Sequence, residues 1–163
     1  MSDRWKNSAM SLGLICSVMA MPLAADDELL VFVSAFGKGD AGAIHALRVD
    51  TKSGQVKPVH RTTNVENPFF LALSPDRKFL YSIHADDFGD DVNDEIAAFR
   101  LDGDTGRMKL INRQSALGTT ACYLDVDATG RTLVVANYSS GSVASLPIGK
   151  DGSLGKAATF VQH

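Results

Sequence analysis

The sequence predicts an all-β protein organised as part of a β-propeller. Three observations carry that expectation: short apolar runs bounded by turn residues, a repeat of roughly fifty residues, and four such runs in each full repeat. The stretch "IHALRVDTKSGQVKPV" matches "IAAFRLDGDTGRMKLI" at an offset of 52, with Gly54 falling on Gly106. "VASLPIGKDGSLGKAA" follows with Gly152, a further 46 residues on. The runs are 5 to 8 residues long and rich in Val, Ile, Leu, Phe and Tyr, which suits strands and is too short for helices.

Taken in order, the chain begins with a different kind of segment. Arg4 and Lys6 precede an uncharged stretch over residues 7–25, and charge resumes at Asp26, Asp27 and Glu28. This is the layout of a secretory signal peptide, with cleavage expected after Ala25 behind the small residues Ala24 and Ala25. An uncleaved anchor is the rival reading, because 19 uncharged residues approach the ~20 that span a bilayer. Lipid attachment fits poorly, since bulky Ile15 precedes Cys16. The expected division is therefore residues 1–25 as signal and 26–163 as propeller.

The first repeat copy offers only "LLVFVSAF", "GAIHALRV" and "VKPVHRTT", and so lacks its innermost strand. Closed propellers commonly split one blade between the chain ends, so that strand is expected from a later, C-terminal segment. The second copy is complete: "FFLALSP", "KFLYSIHA", "EIAAFRLD" and "MKLINRQSA", with Pro75-Asp76 and Asp104-Thr105-Gly106 supplying turn chemistry. The third repeats it as "CYLDVDA", "RTLVVANY", "SVASLPI" and "AATFVQH". Radial repetition protects strand edges only when a ring closes. About three blades therefore read as the N-terminal part of a larger protein, and on their own are expected to self-associate through open edges and to be inactive.

Composition agrees with a globular domain. The chain is 45% hydrophobic and 21% charged, and its net charge of −3 lacks the basic footprint of a nucleic-acid binder. Removal of the signal takes Cys16 and leaves Cys122 alone, which excludes an intramolecular disulfide and reads as a small buried hydrophobe.

The segments "NPFFLALSPDRKFLYSI", "GRMKLINRQSALG" and "DATGRTLVVANYSSGSVASLPIGKDGSL" closely resemble the bacterial lactonase family with a seven-bladed propeller, the 6-phosphogluconolactonase type, which is also similar to fungal carboxymuconate-cyclising enzymes. The resemblance runs from about residue 30 to residue 163. It implies that the full-length protein hydrolyses a sugar-derived lactone in carbohydrate metabolism, with a small-molecule substrate, no cofactor, no metal and no stable membrane association once the signal is removed. The alternatives are an exported binding module without catalysis and a muconate-type cycloisomerase. Three departures stand out. Ser34-Ala35-Phe36 replaces a usual Gly-Thr-Tyr, His84-Ala85 replaces Asn-Glu, and Ala121-Cys122-Tyr123 carries Tyr123 where the family brings in a His.

Lactone hydrolysis needs a base to activate water and a donor or cation for the developing oxyanion. Propellers hold ligands at one mouth of the central channel, here reached by residues 36–40, 62–67, 84–94, 117–121 and 138–141. His84 and His163 are the catalytic candidates at that mouth, and Asn67, Tyr123, Asn137 and Tyr138 the substrate-binding ones. His45 and His60 fall in outer strands and read as structural. The acidic stretch "HADDFGDDVNDE" lacks EF-hand spacing and reads as a solvated loop.

Overall fold

The computed structural model describes residues 15–22, 27–85 and 92–163. The strands among them form three four-stranded antiparallel sheets, each a meander. The first contains β1 (Ile15–Pro22), β2 (Glu28–Ala35), β3 (Ala43–Asp50) and β4 (Val56–Thr62). The second contains β5 (Pro68–Leu73), β6 (Phe79–His84), β7 (Glu95–Leu101) and β8 (Met108–Ser115). The third contains β9 (Ala121–Val126), β10 (Thr132–Asn137), β11 (Ser142–Pro147) and β12 (Thr159–Gln162). The strands expected from the repeat lie within two residues of their anticipated ends. Successive innermost strands β1, β5 and β9 are neighbours, which is the radial order of propeller blades.

The first blade departs from expectation. Its innermost position is occupied by β1, drawn from the stretch that reads as an export signal, and is not left for a later segment. Met21 stands opposite Leu30, Ala20 opposite Val31, Met19 opposite Phe32 and Val18 opposite Val33, with a register shift between Ile15 and Val18. The physical reason is the inner edge of β2, whose backbone groups need partners and whose apolar strand accepts an adjacent uncharged segment at little cost in loop closure. Met19 packs against the cores on both sides of the first seam. Arg4, Lys6, Ala24 and Ala25, on which the signal reading rests, lie outside the described residues, as do Asp86, Asp87, Asp90 and Asp91 of the acidic loop.

Two apolar seams join the blades, and strand alternation divides the middle blade between them. In β6, Leu80 faces the first blade with Leu30, Phe32 and Ile44, whereas Phe79, Tyr81 and Ile83 face the third with Leu124, Leu133 and Leu146. In β7, Ala97, Phe99 and Leu101 take the first seam, and Ile96 and Ala98 the second. Every residue of β6 is consequently buried. The third blade is apolar on its inner face only, so Val135 is fully buried while its neighbour Val134 is 42% exposed.

The glycines that revealed the repeat also fasten it. Gly54, Gly106 and Gly152 have φ of 71°, 75° and 85°, the left-handed region that a turn between third and fourth strands requires. Two of them also press on the preceding blade. A Cβ on Gly106 would lie 2.5 Å from the Ala46 Cβ, and one on Gly152 would lie 2.2 Å from the Phe79 ring. Beside each turn an arginine reaches across from the earlier blade. Arg48 Nη2 donates to the Asp104 carbonyl at 3.1 Å, and Arg100 Nη2 to the Asp151 carbonyl at 2.8 Å. At the matching position of the third copy stands Pro147, which has no such reach.

Candidate functional site

The mouth loops are locked to one another by backbone bonds. The connections ahead of β5 and β9 each carry two non-glycine residues with positive φ, three apart: Asn64 (59°) and Asn67 (45°), then Leu117 (57°) and Thr120 (53°). Such angles are costly for a β-branched residue like Thr120 and are held by their surroundings. Asn67 N–H donates to the Gly37 carbonyl at 2.9 Å, and Tyr138 N–H to the Thr120 carbonyl at 2.8 Å. Asp94 closes the second seam: its N–H donates to the Gly118 carbonyl at 3.0 Å, and its carboxylate accepts the Ala121 N–H.

His84 ends β6 and is only 6% exposed. Pairing opposite Pro68 turns its ring under the connection that precedes β5, where Nδ1 lies 2.7 Å from the Glu66 carbonyl. A carbonyl accepts only, so Nδ1 carries the proton and Nε2 presents a lone pair. Nε2 is buried and makes no hydrogen bond within the protein. Burial pulls the imidazole down to about 4; the Glu66 bond acts in the opposite direction, and the nearby Arg113 cation adds to the lowering. The ring is therefore neutral at physiological pH.

The same depression has a consequence for stability. The unfolded chain takes up a proton near pH 6.5, whereas the folded chain does so only near 4, so stability falls as pH drops through that window. The loss is on the order of 3 kcal/mol by pH 4, from ~1.4 kcal/mol per pKa unit. Thermal melts between pH 7 and pH 4.5 are expected to show a markedly shallower pH dependence for His84→Gln than for the parent chain. Equal slopes would mean that His84 is not the titrating group. Asp127 is held at about 2, first by the Thr129 hydroxyl, so its own acid response belongs to a lower window.

Around His84 lies a cleft of about 430 Å³, lined by Asn64, Glu66, His84, Asn93, Glu95 and Arg113. Arg113 Nη1 donates to Glu95 Oε2 at 3.2 Å, across neighbouring strands β8 and β7. Sequence reasoning found His84 but missed the others. Their signal was present in the strand pairing, since Glu95 lies opposite both His84 and Ser115, two residues from Arg113. A larger depression, about 1010 Å³, sits at the opposite ends of the strands beside Asp76, Thr129 and Arg131, and none of the sequence candidates lines it.

The remaining candidates fall in two groups. Asn67 is buried in the connection ahead of β5, which its N–H ties to the Gly37 carbonyl. The others belong to the third blade. Asn137 is buried, donating from Nδ2 to the Ala116 carbonyl and to Ser142 Oγ, each at 3.1 Å. Tyr123 is 51% exposed and packs on Phe70 with ring centroids 4.9 Å apart. Tyr138 is 78% exposed. His163 has an exposed side chain, and its N–H donates to the Gly141 carbonyl at 3.0 Å. Cys122 is half-buried with a free thiol. Among the described residues no cluster of three or more His, Cys, Asp or Glu could hold a metal ion, and no helix is long and apolar enough to cross a membrane.

Comparison with known proteins gives a consistent picture. The family description "Lactonase, 7-bladed beta-propeller" matches residues 30–163. The chain is 32% identical over 131 residues to a 6-phosphogluconolactonase of Formosa agariphila, covering 80% of this chain and 36% of that protein. It is 29% identical over 133 residues to the 6-phosphogluconolactonase of Bacillus subtilis, covering 81% and 37%. Among solved structures, the periplasmic gluconolactonase of Pseudomonas aeruginosa superposes with a TM-score of 0.72 at 30% identity, over 83% of this chain and 39% of that one. The chain thus spans less than two-fifths of each of these proteins.

Proposed function

The chain belongs to the lactonase family of seven-bladed β-propellers, and on that premise we propose that the full-length protein is an exported hydrolase that opens a sugar-derived lactone. The observation that carries this reading is the family match over residues 30–163 together with 30% identity to a periplasmic gluconolactonase. Residues 1–25 direct export in this reading, as their charge pattern suggests.

Hydrolysis adds water across the lactone C–O bond: the hydroxide oxygen becomes part of the carboxylate, and the ring oxygen leaves as a hydroxyl. In this reading His84 and His163 are the imidazoles that this part of the chain contributes near the mouth and Tyr123 and Tyr138 its exposed polar groups, while the buried Asn67 and Asn137 hold the loops around it. A neutral imidazole with Nε2 unprotonated is the form that accepts a hydrogen bond or proton. Arg113, which lines the same cleft and is paired with Glu95, is a cation there for an oxygen that gains charge.

The full-length protein is expected to accelerate opening of glucono-1,5-lactone, read as acid release in weakly buffered solution. A soluble, folded full-length protein with no turnover above buffer hydrolysis, on either the free or the 6-phosphorylated lactone, would overturn the reading.

A further inference from the structure

We propose that the outer edge of β12 pairs with the same edge of a second copy of this chain, antiparallel about a two-fold axis at Val161, so that two third blades join into one continuous sheet. The inference is independent of the lactonase reading and concerns the rim of the propeller.

The first observation is a missing cation. β4, β8 and β12 are each the last strand of their sheets. β4 and β8 remain sheet ends although a further blade follows each, so a blade that follows the third leaves the edge of β12 open in the same way. Such an edge presents unpaired N–H and C=O groups, and charged residues, proline and bulges keep other strands off it. β4 carries Lys57, Pro58 and Arg61, and shifts register against β3 between Ala46 and Leu47. β8 carries Lys109 and Arg113, and shifts against β7 between Ala98 and Phe99. β12 has neither charge nor proline and pairs with β11 in unbroken register. The repeat makes the comparison residue by residue. Arg61 stands opposite His45, Arg113 opposite Ala97 and Val161 opposite Val143, which are matching positions at the offsets of 52 and 46. Two rims keep an arginine there, and the third has a β-branched apolar residue.

The second observation is the direction of the backbone groups. His163 N–H donates to the Gly141 carbonyl at 3.0 Å, and Ala158 N–H to the Ser145 carbonyl at 2.8 Å. Antiparallel ladders alternate, so Val161 is bonded to β11 like His163, and the N–H and C=O groups of Phe160 and Gln162 face outward. Pairing Phe160 with the partner's Gln162, and Gln162 with the partner's Phe160, satisfies these groups through about four N–H···O bonds. That register sets Val161 directly opposite the partner's Val161, at a non-hydrogen-bonded site where Cα atoms lie about 4.5 Å apart and side chains touch. A register centred on Phe160 would need the Ala158 N–H, which Ser145 already holds. The contact closes on itself as a dimer, and its four residues bring no charge to be desolvated. An arginine at the axis, as on the other two rims, would put two cations face to face. So short a ladder makes a small interface, and dissociation is expected on the order of 10–100 μM.

Sedimentation velocity of the full-length protein, from roughly 2 to 200 μM, is expected to show monomers passing into dimers. Val161→Arg restores the kind of residue that the other two blades carry, and is expected to weaken the dimer at least ~10-fold while the melting temperature changes little. Cross-linking reads the register in a folded protein without that charge. With Cys16 and Cys122 changed to Ala, Val161→Cys is expected to give a disulfide-linked dimer on mild oxidation. Gln162→Cys is not, because its copies stand two positions apart along the paired strands, beyond the ~7 Å that a disulfide bridges. A protein that stays monomeric at the highest concentration, a dimer that Val161→Arg leaves unchanged, or cross-linking as fast at Gln162→Cys as at Val161→Cys overturns the proposal. Capture of a short uncharged peptide on this edge by a protein that stays monomeric also overturns it, and makes a foreign strand the occupant. Lactone turnover enters none of these readouts, so failure of hydrolysis leaves the edge pairing standing.

Discussion

A chain lacking residues 1–25 is expected to lose its sharp thermal transition and to self-associate. The segment removed contains β1, which pairs with β2 at six positions from Ile15–Ala35 to Pro22–Leu29 and inserts Met19 against both apolar cores. At ~0.5–1.5 kcal/mol net for each backbone bond, the ladder alone contributes about 5 kcal/mol. That is comparable with the whole stability of a small domain, about 5–15 kcal/mol. Deletion also turns β2 into an open edge beside Leu30 and Phe32, both fully buried in the intact chain, and such edges recruit other strands. Thermal melts and sedimentation of residues 26–163 beside the complete chain test this. A monodisperse protein that melts as sharply and at the same temperature would show that β1 contributes nothing. If export removes the segment, the inner edge of β2 needs another strand, and the same measurement on full-length mature protein is expected to find it stable.

Gly152→Ala is expected to be strongly destabilising, lowering the melting temperature by about 10 °C, from ~3 kcal/mol at ~2–4 °C per kcal/mol for a chain of this size. Two effects add. At φ 85° a side chain carries left-handed strain of about 1–2 kcal/mol. The new Cβ would also lie 2.2–2.6 Å from atoms of the Phe79 ring, which is 7% exposed and has little room to retreat; overpacking of this kind costs about 1–3 kcal/mol. The ring cannot move alone, because Arg100 lies over it at 5.1 Å while donating to the Asp151 carbonyl. Tyr81, buried and pushed up to about 12 by desolvation, donates its hydroxyl to the Gly152 carbonyl at 3.2 Å. Asn112 holds both the N–H and the carbonyl of Leu154, at 3.0 and 2.7 Å. Gly54→Ala, where the added Cβ meets nothing within 4 Å, isolates the strain and is expected to cost less than half as much. Equal losses at the two positions would mean that the seam yields to the methyl.

Most of this fold was legible because its signals are local. Short apolar runs bounded by turn residues wrote β6 and β7, and the glycines at 54, 106 and 152 marked turns whose left-handed backbone admits little else. The partner of an edge is not a local property. Nothing in "ICSVMAMP" distinguishes an export segment from an innermost strand, since both need an uncharged run, and only the position of β2 gives it the second role. The site was half legible for a similar reason. A polar residue at a strand end reads as facing the mouth, but Asn67 and Asn137 are buried by the loops that cover them. The carboxylates and guanidinium beside His84 come from β7, β8 and the connection before β5, and their meeting is a matter of register.

The arginine fasteners also set a timetable. Arg48 waits for a carbonyl 56 residues downstream and Arg100 for one 51 residues downstream, so neither can be engaged until the next blade has nearly left the ribosome. At ~5–20 residues per second that is a delay of roughly 3–11 s per seam, during which a finished sheet presents an apolar face with nothing to grip it. Each newborn blade is thus secured by its successor, and the molecule matures one blade behind its own synthesis. Pro147 breaks that cadence, because the third blade carries no arginine at the matching position.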